Sequence, residues 1–515
     1  MTTPLTDEEQ GNSNYARLLH DRIFKRVGQV ADDLGMEAYV VGGYVRDAML
    51  HRGELNDIDF VTVGSGITLA TAVARKLGRG THLGVFRSYG TAQVKRGRLE
   101  LEFVGARRES YRHDSRNPIV EDGTLEEDIA RRDFTINAMA LCINEGSFGR
   151  LIDNYNGLQD LQDRIIRTPL EPEVTFSDDP LRMMRAIRFA TQLQFDICPE
   201  TFEAIRTQAE RIRIITTERI TTELNKIMAS PRPSIGWDLL HHSGLLAIIL
   251  PELEALVGVQ VVNGRGHKDN FYHTLEVLDN VAAATDDLWV RWAALLHDIA
   301  KPLTKRYDPQ VGWTFHNHNF IGAKMVPRIF ARLKLPMGAE MRRVKRLVDL
   351  HMRPIALVED EVTDSAVRRL INYAEDDLDA LMILARADIT SKNIEKKQRF
   401  LDNFDIVERK FAEINALDAE RAFRPALNGY DIMAMFGLTQ GPVVGMLMSN
   451  LTRVSRDCEI EPTRQAAIDY LLDLGAQNGL QGDPSKLPAP TEDTESETEA
   501  NCAEPEPDKT KQSTD

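Results

Sequence analysis

Two aspartates one residue apart, Asp57 and Asp59, form the first pair of residues whose spacing predicts chemistry. They lie in the segment NDIDFVTV, which reads as a strand, and residues i and i+2 of a strand point to one face. Carboxylates this close repel each other unless a cation lies between them, and Mg²⁺ prefers oxygen ligands. The pair therefore predicts a magnesium site, although an isolated pair of this kind is more often an ordinary strand end.

The segment VVGGYVRD, residues 40–47, favours the magnesium interpretation. Gly42 and Gly43 follow an apolar strand, and Arg46 and Asp47 lie in the short helix that comes next. Backbone N–H groups at such a turn can bind phosphate. Two metal ions, a triphosphate and an incoming hydroxyl make a phosphoryl-transfer site, so we predict that this region holds Mg²⁺ on the phosphates of a nucleotide.

A third acidic residue is expected from a neighbouring strand. The segment RLELEFVG alternates apolar and polar residues with a period of two, which predicts a half-buried strand. It offers two candidates, Glu100 and Glu102. We favour Glu102, because the run FVGAR follows it and leads to further basic residues.

Two arginine-rich segments, ARRDFTINAMA and FSDDPLRMMRAIRF, are candidates for binding the nucleotide. Their candidate residues are Arg131, Arg132, Asp133, Asn137, Asp179, Arg182, Arg185 and Arg188. Asp179 and Arg182 are three residues apart, so on a helix they are neighbours and present an acceptor beside a fork of donors that can read a nucleobase. The alternative is that Asp178 or Ser177 caps a helix and the arginines form a solvated face.

Six residues in the middle of the chain predict a second metal site. They are His273, His297, Asp298, His318, His351 and Asp388. A single histidine on a helix is usually structural, but here a His-Asp doublet in LLHDIAKP has further histidines and an aspartate in order around it. Neutral imidazoles with carboxylates suit a transition metal. Of the neighbours His316 and His318 we choose His318, because its distance from Gly322 and Ala323 fits.

The motifs together resemble a known family. VGGYVRD…DID, EFVGAR, RRDFTINAM, DNYNGLQDLQDRIIR and DDPLRMMRAIRFA have the order and spacing of class II tRNA nucleotidyltransferases, the CCA-adding enzymes, whose head bacterial poly(A) polymerases share. The likeness covers residues from about 30 to 235. It implies an α+β fold, with a five-stranded mixed-sheet nucleotidyltransferase head of the polymerase β type followed by an all-helical neck, HD body and tail.

The resemblance also implies roles for the candidate residues. Asp57 and Asp59 would bind catalytic Mg²⁺, and the pair Asp179 and Arg182 would select CTP and ATP over other nucleotides. The residues implied to hold the ribose and triphosphate are Arg131, Arg132 and Asp133. The chain departs from the family at Asp178, where a glutamate is usual, and in this family a flexible loop, here residues 109–128, helps the switch from C to A addition.

The histidine set resembles the HD phosphohydrolase superfamily. The residues implied to form its core metal site are His273, His297, Asp298 and Asp388, and His318 and His351 are extra ligands typical of two-metal members. The metal would be a divalent transition ion such as Mn, Fe, Ni or Co, with Lys301 near a phosphate. HD domains fused to such heads are associated with 2′,3′-cyclic phosphodiesterase and phosphatase activity. A relic HD fold retained for packing is the alternative.

The length of 515 residues predicts several domains. Short β-branched and aromatic runs give way to helical spacing after Asp153, and the last 35 residues are rich in Glu, Thr, Pro and Ser. The predicted parts are a flexible leader (1–12), nucleotidyltransferase head (13–150), helical neck for base recognition and RNA binding (151–235), HD metal-binding domain (236–400), helical tail (401–480) and disordered acidic tail (481–515).

Composition limits the partners. The net charge of −16 argues against nonspecific nucleic-acid binding, although local basic patches exist, and we take Arg342–Arg346 as a basic stripe for the tRNA elbow. No apolar run is long enough for a bilayer and no signal pattern is present, so we expect a cytoplasmic protein without a membrane partner. The four scattered cysteines are expected to be reduced thiols.

The most concrete prediction is a template-independent enzyme that adds CMP, CMP and AMP from CTP and ATP to the tRNA 3′ end and releases pyrophosphate. A poly(A) polymerase or a CC- or A-adding specialist would share the chemistry, although the acidic tail disfavours poly(A) polymerase. An HD phosphohydrolase with an inactive head, or an RNA-binding protein without activity, are the alternatives from other classes. The oligomeric state is left open.

Overall fold

A computed structural model of the chain describes residues 15–487, except 54–55, 113–114, 263–264, 267–268, 360–363, 391–392, 423–424, 457–458 and 462. The chain divides into two compact units. One comprises Met1–Glu361 and Arg369–Phe404, and the other comprises Val362–Arg368 and Asp405–Asp515. The predicted leader, 1–12, and residues 488–515 of the predicted acidic tail lie outside the described residues.

Strands are concentrated in the first third of the chain. They are β1 (Ala38–Val41), β2 (Asp57–Thr62), β3 (His82–Phe86), β4 (Thr91–Arg96), β5 (Leu99–Gly105), β6 (Arg107–Arg112), β7 (Ser115–Asp122), β8 (Ala140–Cys142), β9 (Leu151–Ile152), β10 (Ile165–Ile166), β11 (Asp196–Ile197), β12 (Val261–Val262), β13 (Arg265–Gly266), β14 (Arg306–Asp308) and β15 (Gly312–Thr314).

The remaining regular structure is helical, as predicted. The helices are α1 (Arg22–Asp33), α2 (Gly43–Met49), α3 (Gly66–Leu77), α4 (Leu125–Ala130), α5 (Gly157–Asp163), α6 (Pro172–Asp178), α7 (Leu181–Leu193), α8 (Pro199–Gln208), α9 (Thr217–Met228), α10 (Pro233–His242), α11 (Leu245–Ile249), α12 (Pro251–Glu254), α13 (Asn270–Ala284), α14 (Leu288–Leu296), α15 (Lys301–Thr304), α16 (His318–Arg332), α17 (Ala339–Leu350), α18 (Met352–Glu359), α19 (Asp364–Ala374), α20 (Leu378–Asp388), α21 (Ile394–Ala422), α22 (Gly429–Phe436), α23 (Pro442–Arg456) and α24 (Arg464–Gln477). In the part of the chain that the structure describes, none of them is both long and apolar enough to span a bilayer.

The head is built on one seven-stranded sheet with the strand order β3-β4-β5-β2-β1-β8-β9. Strands β2 and β5 pair in parallel, whereas the other neighbours pair antiparallel. The predicted mixed sheet is therefore confirmed. The expected number of five strands is wrong, because the short strands β8 and β9 extend the sheet beyond β1.

The two faces of β2 have different environments. Ile58 and Phe60 are 1% exposed, and the Phe60 ring stacks on Phe103 at 4.9 Å and lies 6.2 Å from the Phe24 ring of α1. Apolar burial of this kind stabilises the sheet against α1 and α3 and fixes which face is buried. Because the side chains of a strand alternate, Asp59 must point to the opposite face.

Helix α4 covers part of that opposite face. Leu125 and Ile129 pack with Val41 and Val61 in one apolar cluster. A capping box at Thr124, in which the side chains of Thr124 and Glu127 bind each other's backbone N–H, begins the helix. The described residues of 109–128, a segment predicted as a flexible loop, instead belong largely to the antiparallel strands β6 and β7 and to the start of α4, because the strands pair their backbone groups with each other.

Neck and HD helices share a core. The rings of Trp237 in α10 and Trp292 in α14 meet edge to face at 6.0 Å, and both are fully buried. Arg291, only 2% exposed, donates hydrogen bonds to the carbonyl oxygens of Met228 and Ser230 at 2.9 and 3.0 Å. It thereby satisfies carbonyl groups at the end of α9 that lack helical partners.

The second unit contains a separate apolar core in which α22, α23 and α24 pack around buried leucines such as Leu447 and Leu471. Residues 481–487 belong to this core. The backbone N–H of Asp483 donates to the carbonyl oxygen of Met435 at 2.8 Å, and Leu487 packs against the cluster. The prediction that disorder begins at 481 is therefore wrong for these seven residues, whose single leucine anchors an otherwise polar segment.

Candidate active site and metal centre

The predicted head acids lie side by side on the open face of the sheet. The parallel register places Asp57 opposite Glu100 and Asp59 opposite Glu102, and opposed residues in neighbouring strands point to the same face. Glu100 accepts hydrogen bonds from Lys95 at 2.8 Å and Gln93 at 3.3 Å. Glu102 instead lines the central cavity with Asp59, an arrangement that favours Glu102 as the third acid.

A cavity of about 520 Å³ gathers most of the predicted nucleotide-binding residues. Those that line it are Gly42, Gly43, Arg46, Asp59, Glu102, Arg131, Arg132, Asp133, Asn137, Asp179, Arg182, Arg185 and Arg188. Asp57 and Asp47 are outside the lining, and Asp57 is exposed at the start of β2. Sequence reasoning missed Phe189 and Arg219, which also line the cavity; Phe189 directly follows Arg188, but no local pattern marks Arg219.

Gly42 allows the backbone to pass close to two charged side chains of the cavity. Its φ is +69°, a left-handed conformation that favours glycine, and a Cβ placed on it would lie 3.1 Å from Nη1 of Arg132 and 3.6 Å from Oδ2 of Asp59. A larger residue would therefore push against the Arg132 guanidinium. The tight turn between β1 and α2 brings backbone close to these two charged groups.

The surroundings of Asp59 favour the binding of a cation. Burial raises its pKa to about 6, and although Arg132 opposes the shift, Glu102 and Asp57 add to it. A divalent cation would favour the ionised carboxylate, so the donor set fits magnesium. Among the described residues, the groups whose ligand atoms all lie within 4.8 Å of one another are in the HD region, so the head acids are spaced more openly.

Asp133 is a fixed structural anion within the cavity. One of its oxygens accepts from Nε of Arg185 at 2.7 Å, and the other accepts from the Asn137 amide and the Phe134 backbone N–H, both at 2.9 Å. Burial alone would raise its pKa, but Arg185 and Asn137 outweigh burial and lower the pKa to about 2. Asp133 therefore remains ionised and positions Arg185 and Asn137.

Arg46 connects α2 to the cavity floor. Its guanidinium pairs with Asp47 at 2.7 Å and donates to the side-chain oxygen of Asn137 at 2.7 Å. It also lies 4.9 Å from the ring centre of Phe189, over which Arg188 lies at 3.9 Å. The role of Asp47 in this arrangement is to orient Arg46 from outside the cavity.

Asp128 is a third residue that sequence reasoning missed. Its side chain has no exposed surface and pairs with Arg131 at 2.5 Å and Arg132 at 3.2 Å. These contacts are three and four residues apart along α4 and its end, which is helical spacing. The sequence does contain this signal, but the expectation of a loop through residue 128 concealed it.

The predicted base-reading pair flanks the start of α7. Asp179 precedes the helix rather than lying within it, because Pro180 intervenes, and its Oδ1 accepts from the Leu181 backbone N–H at 3.1 Å. Its Oδ2 is 3.6 Å from Arg219. Arg182 donates to the Arg131 carbonyl oxygen at 2.7 Å. Acceptor and donor groups thus face one cavity, as the spacing of the two residues predicted.

The six predicted HD ligands meet at one point. They form two groups whose ligand atoms lie within 4.8 Å of one another: His273, His297 and Asp388 in one, and Asp298, His318 and His351 in the other. The ligands come from α13, α16 and α20 and from the residues directly after α14 and α17. His316 is exposed and lies outside both groups, so the structure favours the choice of His318.

Hydrogen bonds at Nδ1 orient three of these rings. Nδ1 of His297, His318 and His351 lies 2.7, 2.8 and 2.7 Å from the carbonyl oxygen three residues earlier. A neutral ring that donates from Nδ1 leaves its Nε2 lone pair available to a metal. The Nε2 atoms of His318 and His351 are 3.3 Å apart, so their lone pairs require a cation or a proton between them.

The charges of the cluster also call for a cation. Burial would raise the pKa of Asp298 and Asp388, but neighbouring cationic groups outweigh it and hold both pKa values below the ordinary range. Burial would lower the pKa of His297, but Asp298 and Asp388 raise it to about 10. Lys301 lies 2.5 Å from Oδ2 of Asp298. Four imidazoles and two carboxylates fit a transition metal, which would take the place of the proton on His297.

The predicted basic stripe at 342–346 is only partly basic at its surface. Arg343 pairs with Asp287 at 2.5 Å and Asp377 at 2.6 Å. Arg346 pairs with Glu375 at 2.5 Å and Asp377 at 2.9 Å. Two arginines of the stripe are therefore engaged in ion pairs, and the contact of this stripe with the tRNA elbow stays a prediction.

Three family models match the chain. They are described as the poly A polymerase head domain (residues 38–167), a probable RNA and SrmB-binding site of polymerase A (194–256) and the HD domain (270–393). Their order is the one predicted from the motifs. The six HD ligands lie inside the third matched region, and the head acids with Arg131, Arg132 and Asp133 lie inside the first, whereas the cavity residues from Asp179 to Phe189 lie between the first and the second.

Curated relatives carry related names. An A-adding tRNA nucleotidyltransferase of Deinococcus radiodurans is 36% identical over 353 residues, which are 66% of this chain and 78% of the relative. A CC-adding tRNA nucleotidyltransferase of Thermus thermophilus is 31% identical over 445 residues, 85% of this chain and 93% of the relative. A multifunctional CCA protein of Pseudomonas fluorescens is 36% identical over 318 residues, 58% of this chain and 71% of the relative.

Solved structures share the fold. A tRNA nucleotidyltransferase complexed with a primer tRNA and an incoming ATP analog is 26% identical with a TM-score of 0.53, and the match covers 74% of this chain and 98% of that one. The Thermotoga maritima CCA-adding enzyme complexed with tRNA has a TM-score of 0.55 at 21% identity, covering 90% and 98% of the two chains. The motifs, the matched domains and these relatives show that the chain belongs to the family of tRNA nucleotidyltransferases and poly(A) polymerases, with an HD domain after the head.

Proposed function

We propose that the chain is a template-independent tRNA nucleotidyltransferase that adds CCA to the tRNA 3′ end from CTP and ATP and releases pyrophosphate. The observation that supports this most is the cavity in which Asp59 and Glu102 face a wall of arginines. The 3′-hydroxyl oxygen of the RNA bonds to the α-phosphorus of the nucleotide. The bond to pyrophosphate breaks, and the hydroxyl proton is lost to solvent.

The acids and arginines have separate tasks in this proposal. Asp57 and Asp59 would hold Mg²⁺, with Glu102 beside them, and the ion when bound would lower the pKa of the attacking hydroxyl and offset phosphate charge. Arg131 and Arg132, which Asp128 holds in place, bind the triphosphate.

Base choice rests on protein side chains. Asp179 offers a carboxylate acceptor and Arg182 a set of N–H donors, the complement of an amino group beside a ring nitrogen or carbonyl, which cytosine and adenine both present. Phe189 supplies an apolar surface in the same cavity. We expect Arg219, 3.6 Å from Asp179, to set the orientation of that carboxylate.

The curated relatives differ in the nucleotides that their names say they add, so the names leave the product of this chain open to test. Their names include A-adding, CC-adding and multifunctional CCA proteins. The presence of both acceptor and donor groups at Asp179 and Arg182 favours acceptance of both CTP and ATP. An enzyme that adds only CC, only A or a poly(A) tail would keep the same catalytic cavity.

A second activity is proposed at the HD cluster, where the Nε2 lone pairs of His318 and His351 face each other. We infer a divalent transition-metal site, with Mn, Fe, Ni or Co as candidates, that hydrolyses a 2′,3′-cyclic phosphate or a phosphate ester at an RNA 3′ end. Water oxygen bonds to phosphorus as an ester oxygen leaves and takes a proton. Hydrolysis of a cyclic phosphate opens the ring and leaves a phosphate monoester, whereas hydrolysis of a 3′-phosphate monoester releases inorganic phosphate and restores the hydroxyl that the head requires. A cytoplasmic location accords with both substrates.

Paired variants test the two proposals against each other. In Asp57→Ala/Asp59→Ala we expect loss of nucleotide incorporation and unchanged hydrolysis of a 2′,3′-cyclic phosphate end. In His297→Ala/Asp298→Ala we expect the reverse, measured after reconstitution with each of the four metals. Incorporation that survives in the first variant would refute the head mechanism. Hydrolysis without incorporation in the unmodified protein would identify an HD phosphohydrolase with an inactive head.

A further inference from the structure

The catalytic face of the head sheet continues past the cavity to the edge of the sheet. The antiparallel register of β4 places Gln93 opposite Glu102, and that of β3 places Gly84 opposite Gln93. Residues directly opposite each other in neighbouring strands point to the same face. Asp59, Glu102, Gln93 and Gly84 therefore form one row across β2, β5, β4 and β3.

Phe86 lies at the outer end of this face. It is two residues from Gly84 in β3, so both belong to the same face. A Cβ built on Gly84 would lie 3.7 and 3.8 Å from two ring atoms of Phe86, at van der Waals distance, which means that the ring leans over Gly84. Phe86 is 49% exposed, whereas Ala92 and Val94 on the other face of β4 are fully buried.

Basic and polar groups accompany the ring on this face. Lys95 lies opposite His82 and Glu100, one row along from Gln93, and pairs with Glu100 at 2.8 Å. Its side chain is 48% exposed. An exposed aromatic ring with an exposed ammonium group on the same face, here two rows away, is a combination that binds single-stranded nucleic acid, in which the ring stacks a base and the cation contacts the backbone.

The position of this surface indicates what binds there. Three strand spacings separate β2 from β3, about 14 Å at 4.8 Å each, so Phe86 is too far from Asp59 to touch the reacting nucleotide. That span corresponds to a few nucleotides at about 3.4 Å per stacked base. The arginine-lined cavity extends from Gly42 after β1 to Glu102 and Val104 of β5, and no described residue of β3 or β4 lines it, which leaves the β3 end of the face for the RNA that carries the hydroxyl.

We propose that Phe86 stacks a base of the RNA primer a few nucleotides before its reacting 3′ end, with Lys95 contacting the backbone. The inference rests on the proposed function and adds a binding subsite for the primer to it. Stacking tolerates any base, which suits a primer whose terminal residues change after each addition. The subsite therefore holds the primer without reading its sequence.

Kinetics separate this role from a structural one. In Phe86→Ala we expect the KM for a tRNA primer to rise about tenfold, with the KM for CTP and the value of kcat within twofold of the unmodified protein. Phe86→Tyr should restore the primer KM because it restores the ring. Val85→Ala is the matched control, since Val85 is 39% exposed on the same strand but faces the other side of the sheet. Equal primer KM values for Phe86→Ala and Val85→Ala would overturn the proposal.

A binding measurement without nucleotide tests the contact directly. RNA primers carry 2-aminopurine at one of the last four positions and are titrated with full-length protein. We expect fluorescence quenching at one position, lost in Phe86→Ala and retained in Phe86→Tyr and Val85→Ala. Quenching that does not depend on Phe86, or no quenching in the unmodified protein, would overturn the stacking subsite. Quenching by a protein that incorporates no nucleotide would instead refute the proposed function and leave RNA binding at Phe86 in place.

Discussion

Asp59, the proposed magnesium ligand, shows how a role in catalysis can oppose the stability of the fold. Its carboxylate is partly buried beside Glu102 and Asp57, and its pKa is raised to about 6. Without a cation, the ionised form is unfavourable in the folded protein. The residue best placed to bind a metal is therefore also one that the fold would hold more easily as a neutral group.

This conflict predicts a stability gain in Asp59→Asn. The folded-state pKa is above the ordinary value of 3.8, so the free-energy cost of ionisation is absent below about pH 4, grows as pH rises towards 6 and is then constant. In EDTA at pH 8 we expect the variant to be more stable by about 1–3 kcal/mol. Urea unfolding at pH 4 and pH 8 measures it. Asp57→Asn, at an exposed position, is the control, and a difference that does not grow with pH would contradict the account.

Asp128 predicts a loss of both stability and nucleotide affinity. Asp128→Asn removes the charge that holds Arg131 and Arg132, and a broken buried ion pair costs about 3 kcal/mol. We expect the KM for CTP and ATP to rise about tenfold. Glu126→Gln, an exposed position in the same helix, should change neither quantity. A nucleotide KM that is unchanged in Asp128→Asn would show that the two arginines do not depend on this carboxylate.

At the scale of helices and strands, local sequence patterns predicted much of the observed secondary structure. Alternation in β2 and β5 predicted which carboxylates share a face, and helical spacing predicted the regions that follow Asp153. The ion pairs of Arg343 were not predictable, because its partners Asp287 and Asp377 are 56 and 34 residues away and only packing brings them together. The β6–β7 hairpin was missed for a similar reason, since its polar residues lack the apolar alternation that marks a strand.

The turn between β1 and α2 gives a prediction with a matched control. Gly42 and Gly35 have nearly equal φ angles of +69° and +66°, but only Gly42 has an atom, Nη1 of Arg132, close to the place of a Cβ. Alanine at either position should cost about 1 kcal/mol from backbone strain. Gly42→Ala alone should also lower kcat/KM for nucleotide, about tenfold or more. Thermal unfolding and incorporation kinetics of both variants measure these effects. Equal kcat/KM values for the two variants would contradict the role assigned to the turn.

At the scale of the molecule, local charge and net charge have opposite signs. The chain carries −16, yet eight arginines and four acids line the head cavity. A basic cavity in an acidic protein concentrates a nucleotide triphosphate where the chemistry occurs and discourages nucleic acid elsewhere on the surface. The HD cluster is a second centre with its own ligands. We therefore expect two activities, one lost by substitutions in the head cavity and the other by substitutions in the HD cluster.

The central claim is tested most directly by nucleotide incorporation with the purified full-length chain and magnesium. The substrates are tRNA transcripts that end at the discriminator base, at C or at CC, each with CTP, ATP or both. We expect complete CCA on the first transcript, one C and one A on the second and a single A on the third, with no further extension. Addition of only C, only one A or an unlimited A tail would contradict the proposed product, and no incorporation on any transcript would contradict the assigned chemistry of the head.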